Sequence, residues 1–182
     1  MKARLFTILK WFLMIWGGLS LLAVIAIGAF VAYQIGPGNR DKNDSASRHD
    51  VRFVLNWCRL GDDRIEKVVH SHVSSRSFTG DHLDAYAIKI THVDPSELDA
   101  RSGELRRWYR GDRASAIVND GLEFMGMWLD AIPWFPKQAE LRSSSYYIYP
   151  QHIDYHGIKP AGVEMIFVRP SDKMVFYFDG KM

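Results

Sequence analysis

From Trp11 to Ile35 the chain runs 25 positions without a charged side chain. A helix needs about 20 residues at 1.5 Å each to cross the hydrocarbon of a bilayer. A lone apolar run in lipid must be helical, because its backbone has no other hydrogen-bond partners. The chain therefore reads as tethered to a membrane. Residues 1–10 form a short tail, 11–36 the anchor, 37–50 a linker and 51–182 a folded domain. A secretory signal has an apolar stretch of about 7–15 residues followed by a small-residue cleavage site. This run is longer, and the small residues of Ala26-Ile27-Gly28 lie inside the apolar stretch, which favours an uncleaved anchor. Trp11, Trp16 and Tyr33 suit the two interfaces, where amphipathic rings gather.

Charge separates the two parts. Three of the 23 basic residues (Lys2, Arg4 and Lys10) precede Asn39 with no acid among them. The rest of the chain carries 20 basic residues against 21 acidic ones, a net of −1. The domain thus lacks the positive field of a nucleic-acid binder. Arg40, Lys42, Arg48 and Arg52 follow the anchor, so basic residues flank both ends. Asp41, Asp44 and Asp50 dilute the second flank. That asymmetry places the tail in the cytoplasm and the domain outside. Gly28, Ala32 and Gly36 recur every four residues on one helix face, a spacing that lets two membrane helices approach closely. A homodimer through the anchor is the corresponding expectation.

Gly36-Pro37-Gly38 ends the anchor helix. Beyond the polar linker, Val51 to Leu60 carries both strand-like alternation and helix signals, Asp50 before it and Gly61 after. The helix is favoured. Ile65–Ser75 and Asp84–Thr91 read as a hairpin around the turn at Thr79–His82. Asp94-Pro95-Ser96-Glu97 has capping-box spacing with Pro at the first position. It predicts a helix to Gly111 with Leu98, Leu105 and Tyr109 on one face and a Glu97–Arg101 pair. A second helix should run from Ser115 to Leu129, with Val118, Leu122, Met125 and Leu129 at helical spacing. Strand chemistry returns at Tyr146–Tyr149, Val163–Val168 and Met174–Phe178, the last two joined by a turn over Arg169–Lys173. Strands, two or three helices and strands again, with short turns, predict an α+β fold with an antiparallel sheet.

Chemistry-bearing residues are few. His152, Asp154 and His156 have period-2 spacing, which on a strand puts them in one row opposite Ile153 and Tyr155. Two imidazoles and a carboxylate are reasonable ligands for a divalent metal. They also describe the wet face of a half-buried strand. His70 and His72 form a second pair with the same spacing, and such rows can also sense pH. Asp81 and His82 could act as an acid–base pair near Ser71, Ser74, Ser75 or Ser77, although a turn uses Gly and Asp for backbone reasons alone. Cys58, the single cysteine, can form no intrachain disulfide and is flanked by apolar residues, as buried thiols are. Tyr146, Tyr147, Tyr149, Tyr155, Trp128 and Trp134 could line a groove or fill a core. No HExxH, paired CxxC, GxSxG or phosphate loop is present.

Two functions follow as expectations. One is a binding or accessory module: a single-pass membrane protein whose extracytoplasmic domain needs no cofactor and meets a protein partner in or near the bilayer. The other is a membrane-tethered hydrolase assisted by a metal on His152, Asp154 and His156, with His70 and His72 as further candidate ligands. A shared site would require the two histidine clusters to lie within about 10 Å, since direct ligands sit about 2 Å from zinc.

Overall fold

The structure is a computed structural model, described here for residues 2–36, 39–98 and 105–182. It comprises two compact units, residues 1–40 and 41–182. The first is helix α1, Lys2–Ile35. Within it the 24 residues Lys10–Tyr33 are long and apolar enough to cross a membrane, with a mean hydropathy of 2.2. Their large side chains, Trp11, Trp16, Leu22 and Phe30 among them, are exposed. A Cβ added at Gly28 would have nothing within 4 Å.

The second unit is built on a seven-stranded sheet: β1 (Lys42–Asn43), β2 (Ile65–Val73), β3 (His82–Ile90), β4 (Tyr109–Arg110), β5 (Tyr147–His156), β6 (Lys159–Arg169) and β7 (Met174–Lys181). The spatial order is β1-β2-β3-β7-β6-β5-β4, and each pairing is antiparallel. The expected α+β class and antiparallel sheet are both present. The strand nearest the C-terminus, β7, lies at the centre. It joins the β2–β3 hairpin to the β5–β6 hairpin, pairing Phe178 with Ala85 on one side and with Met165 on the other. Its turn from β6 closes at Lys173, whose φ of 56° is left-handed.

Both sheet faces are covered, so the central strands are apolar on both sides, with alternate residues entering different cores. On one face Ala85, Ala87, Met165, Phe167, Phe176 and Phe178 pack against helix α3 (Ala116–Gly126), the Ile132–Phe135 elbow and helix α4 (Gln138–Leu141). Val118, Leu122 and Met125 supply the expected α3 stripe, and all are buried. Gly121 allows the close approach: a Cβ there would fall 2.2 Å from Met165 Cε. On the other face Tyr86, Ile88, Ile166, Val168, Val175 and Tyr177 meet helix α2 (Arg52–Trp57) and its flanks, including Val51, Val54, Leu55 and Leu60. Phe53 packs edge-on to Tyr177, with ring centroids 5.2 Å apart.

Three local readings differ from the structure. The Asp94 signal opens a 3-10 turn, Pro95–Leu98; residues 99–104 of the expected helix lie outside the described residues, and residues 105–110 are not helical. Asp94 accepts a hydrogen bond from the Ser96 backbone N–H, 2.9 Å, which satisfies a turn without requiring a helix. Arg101 lies outside the described residues, and Tyr109 is in strand β4. Residues 42–50, read as linker, include β1. The Ser71 hydroxyl accepts from the backbone N–H groups of Ser45 and Ala46, at 3.0 and 3.1 Å. Trp128 and Leu129 lie beyond α3, in a turn followed by a 3-10 segment.

Candidate functional site

Pairing registers bring together residues that are far apart in sequence. Asp84 on β3 faces Asp179 on β7, Asp179 faces Glu164 on β6, and Glu164 faces His152 on β5. The four form one row across four adjacent strands, on the α2 side of the sheet. Phe53 and Trp57 of α2 contact Tyr177, two positions along β7 from Asp179 and on the same face.

Directly opposed residues in an antiparallel pair have Cβ atoms about 4.5–5.5 Å apart, where like charges repel. The row contains two such acid–acid neighbours, and each acid has its own donor. Arg76 grips Asp84 bidentately, with Nη1–Oδ1 3.0 Å and Nη2–Oδ2 2.6 Å. His82 Nε2 lies 3.1 Å from Asp179 Oδ2. The Tyr177 hydroxyl donates to Glu164 Oε1 at 2.6 Å. Burial raises the pKa of Asp179 above the ordinary carboxylate value, against the pull of His82. Burial also raises that of Glu164, outweighing the Tyr177 hydrogen bond. Tyr177 itself is pushed far up, first by burial and then by the charges of Asp179 and Glu164. The row therefore holds two carboxylates that take up a proton more readily than free ones, each already bonded to a directional partner.

His152, Asp154 and His156 lie along β5 with the expected alternation: Ile153 is buried in the α3-side core, and the Tyr155 hydroxyl donates to Asp120 of α3 at 3.1 Å. His152 Nε2 and Asp154 Oδ1 are 2.8 Å apart, on exposed side chains. Among the described residues no three His, Cys, Asp or Glu side chains are grouped so as to hold a metal ion. His70 and His72 point the other way, facing Ala87 and Ala85 on the α3 side. Three strands separate β2 from β5. At about 4.8 Å per strand the two clusters are roughly 19 Å apart across the sheet. That exceeds the reach of one shared metal, so His70 and His72 cannot complete a site on β5.

The first pair holds the sheet edge instead. His72 Nδ1 is 2.7 Å from Asn43 Oδ1, and the His70 ring stacks on Trp134 with centroids 5.3 Å apart. The acid–base pairing of Asp81 with His82 does not form. Asp81 accepts from the Thr79 hydroxyl, 2.8 Å, within the turn, whereas His82 turns to Asp179. Ser71 is buried and occupied by the β1 segment. Cys58 is buried too, and burial pushes its thiol up to about 12, leaving no thiolate near neutral pH. The six aromatic candidates divide between layers: Tyr146 and Tyr149 are buried in opposite cores, while Tyr155 is exposed.

Asp84, Glu164 and Asp179 were not singled out in the sequence. Each is the only acid in its strand and sits beside apolar residues, as in Leu83-Asp84-Ala85-Tyr86 and Phe176-Tyr177-Phe178-Asp179. That irregularity was the available signal. Their alignment was not legible, because it depends on β7 being inserted between β3 and β6. Comparisons of the chain with protein-family models, with curated proteins and with solved structures found no match.

Proposed function

We propose that this chain is a single-pass membrane protein whose domain lies outside the cytoplasm and works as a binding or accessory module. Its recognition surface is the Asp179–Glu164–His152 part of the row, with Asp84 buried at the row's end. The observation that carries the reading is that each acid of the row has its own directional donor, although the row includes directly opposed acids. Both cores are closed without these residues. A polar row fixed on a rigid sheet suits recognition of hydrogen-bonding and cationic groups on a protein partner, since little side-chain entropy is left to lose on binding. The apolar helix α1 supports the tether. Gly28, Ala32 and Gly36 offer a small-residue face on which two copies could pair.

The test is a crosslinking pull-down of the full-length chain from its native membrane, run beside Asp179→Asn and Glu164→Gln. Capture of a defined partner by the parent and its loss from both variants supports the reading. Equal capture by all three places recognition elsewhere. A reporter fused after Met182 should be active outside the cytoplasm, and activity inside alone would reverse the orientation.

A further inference from the structure

We infer that a second site binds a small phosphoryl group in an arginine-lined pocket behind helix α2. The cavity holds about 260 Å³ and is lined by Arg59, Arg64, Arg106, Arg107, Glu97 and Trp108, with the buried Cys58 on its wall. Four arginines and one glutamate thus line it, with the Arg107 guanidinium lying over the Tyr109 ring, 4.4 Å from its centroid. Arginine remains charged at any physiological pH, so the surplus cannot be relieved by deprotonation. Arg64 spends its charge on Glu97, with Nη1–Oε2 2.5 Å and Nη2–Oε1 3.4 Å. Arg59 and Arg106 make no side-chain ion pair or hydrogen bond among the described residues. Among the described residues, a domain with a net charge near −1 gathers this cationic surplus around one concavity.

The backbone points to the same two residues. Arg59 has φ 63° and Arg106 φ 58°; they are two of the four non-glycine residues with positive φ among the described residues. Arg59 follows the end of α2, where Leu60 N–H returns to Leu55 C=O at 2.9 Å and Arg59 N–H to Asn56 C=O at 3.2 Å. Glycine is the favoured residue at such a left-handed helix end. Arg106 is held by its N–H to Pro150 C=O, 2.9 Å. The left-handed backbone therefore favours glycine at both positions, and the chain carries an arginine at each, both lining one cavity.

Guanidinium groups recognise phosphate and carboxylate oxygens through parallel N–H donors, and a cluster of them is a recurring phosphate-binding device. The volume falls below the roughly 300–1,000 Å³ of drug-sized sites. The occupant is accordingly a phosphate monoester or diester with a small substituent. Both a soluble phosphate ester and the headgroup of an anionic phospholipid present that chemistry.

The experiment is calorimetry on the full chain in maltoside detergent, titrated with glycerol 3-phosphate, with a parallel arm measuring association with phosphatidylglycerol doped into the same micelles. Arg59→Gly and Arg106→Gly are the variants, because glycine suits both backbones and their melting temperatures should not fall. A one-to-one heat with glycerol 3-phosphate, weakened at least tenfold in each variant, assigns a soluble ligand. An arginine-dependent signal with phosphatidylglycerol alone assigns the headgroup. Binding in neither arm, or binding that both variants retain, overturns the site.

Discussion

Replacing Tyr177 with Phe removes one oxygen from the acid row and leaves the ring in place. Tyr177 is 2% exposed, and its ring is held by Phe53, Tyr86 and Trp57. The isosteric change therefore spares the packing. It deletes the 2.6 Å donor of Glu164. A hydrogen bond to a charged group contributes about 1.5–3 kcal/mol, and a buried acceptor left short of its donor costs about as much. At roughly 4 °C per kcal/mol for a domain of this size, the melting temperature should fall by about 6–12 °C. The loss should depend on pH. Burial raises the folded-state pKa of Glu164 above its unfolded value. The folded protein thus binds the proton more tightly, and the stability this group contributes is full below the unfolded pKa and lost as pH rises through the folded one. Once protonated, Glu164 accepts only a neutral hydrogen bond, contributing about 1 kcal/mol, so the Tyr177→Phe cost should shrink on acidification. The assay is thermal melting of the full chain in mild detergent followed by near-UV circular dichroism, between neutral pH and pH 5. Glu164→Gln and the double variant close the cycle, with a coupling of about 0.5–3 kcal/mol expected between contacting residues. A Tyr177→Phe melt unchanged at neutral pH, or a cost that grows on acidification, would refute the reasoning.

Three further outcomes follow. Gly111→Ala should destabilise the domain by more than about 1–3 kcal/mol, because its Cβ would fall 2.1 Å from Leu141 O and 2.5 Å from Ser143 O; an unchanged melting temperature would contradict the close packing of α4 on β4. Zinc titrated into the chain at micromolar concentration should give no stoichiometric heat, since the described residues contain no three-ligand group; a one-to-one heat lost in His156→Ala would restore the metal-assisted hydrolase. The chain should stay in the pellet when membranes are washed at alkaline pH, as an inserted 24-residue span requires; release into the wash would remove the anchor.

Much of the fold was legible because it rests on local chemistry. Period-2 alternation located β3, β-branched and aromatic runs beside turn signals located β2, β6 and β7, and the 3.6-residue stripe Val118-Leu122-Met125 located α3. What remained hidden was set by partners distant in sequence. Lys42–Asn43 and Tyr109–Arg110 are two-residue strands that exist only through pairing with β2 and β5, so no pattern in either segment announces them. The 94–98 segment carried a helix-start signal that a single Asx-type turn satisfied. The candidate site followed the same division. Alternation put His152, Asp154 and His156 on one strand face. The acids that face His152 come from β3, β6 and β7, and only the strand order aligns them.

The acid row is expected to meet a partner at the membrane. A photocrosslinking side chain at His152, beside Glu164 in the row, tests it in the full-length chain in its native membrane. The control position is Ala139, exposed on α4 over the opposite face. A discrete adduct from position 152 that is absent from 139, and that disappears with Asp179→Asn, is the expected result. Equal adducts from both positions, or an adduct from 139 alone, would contradict it.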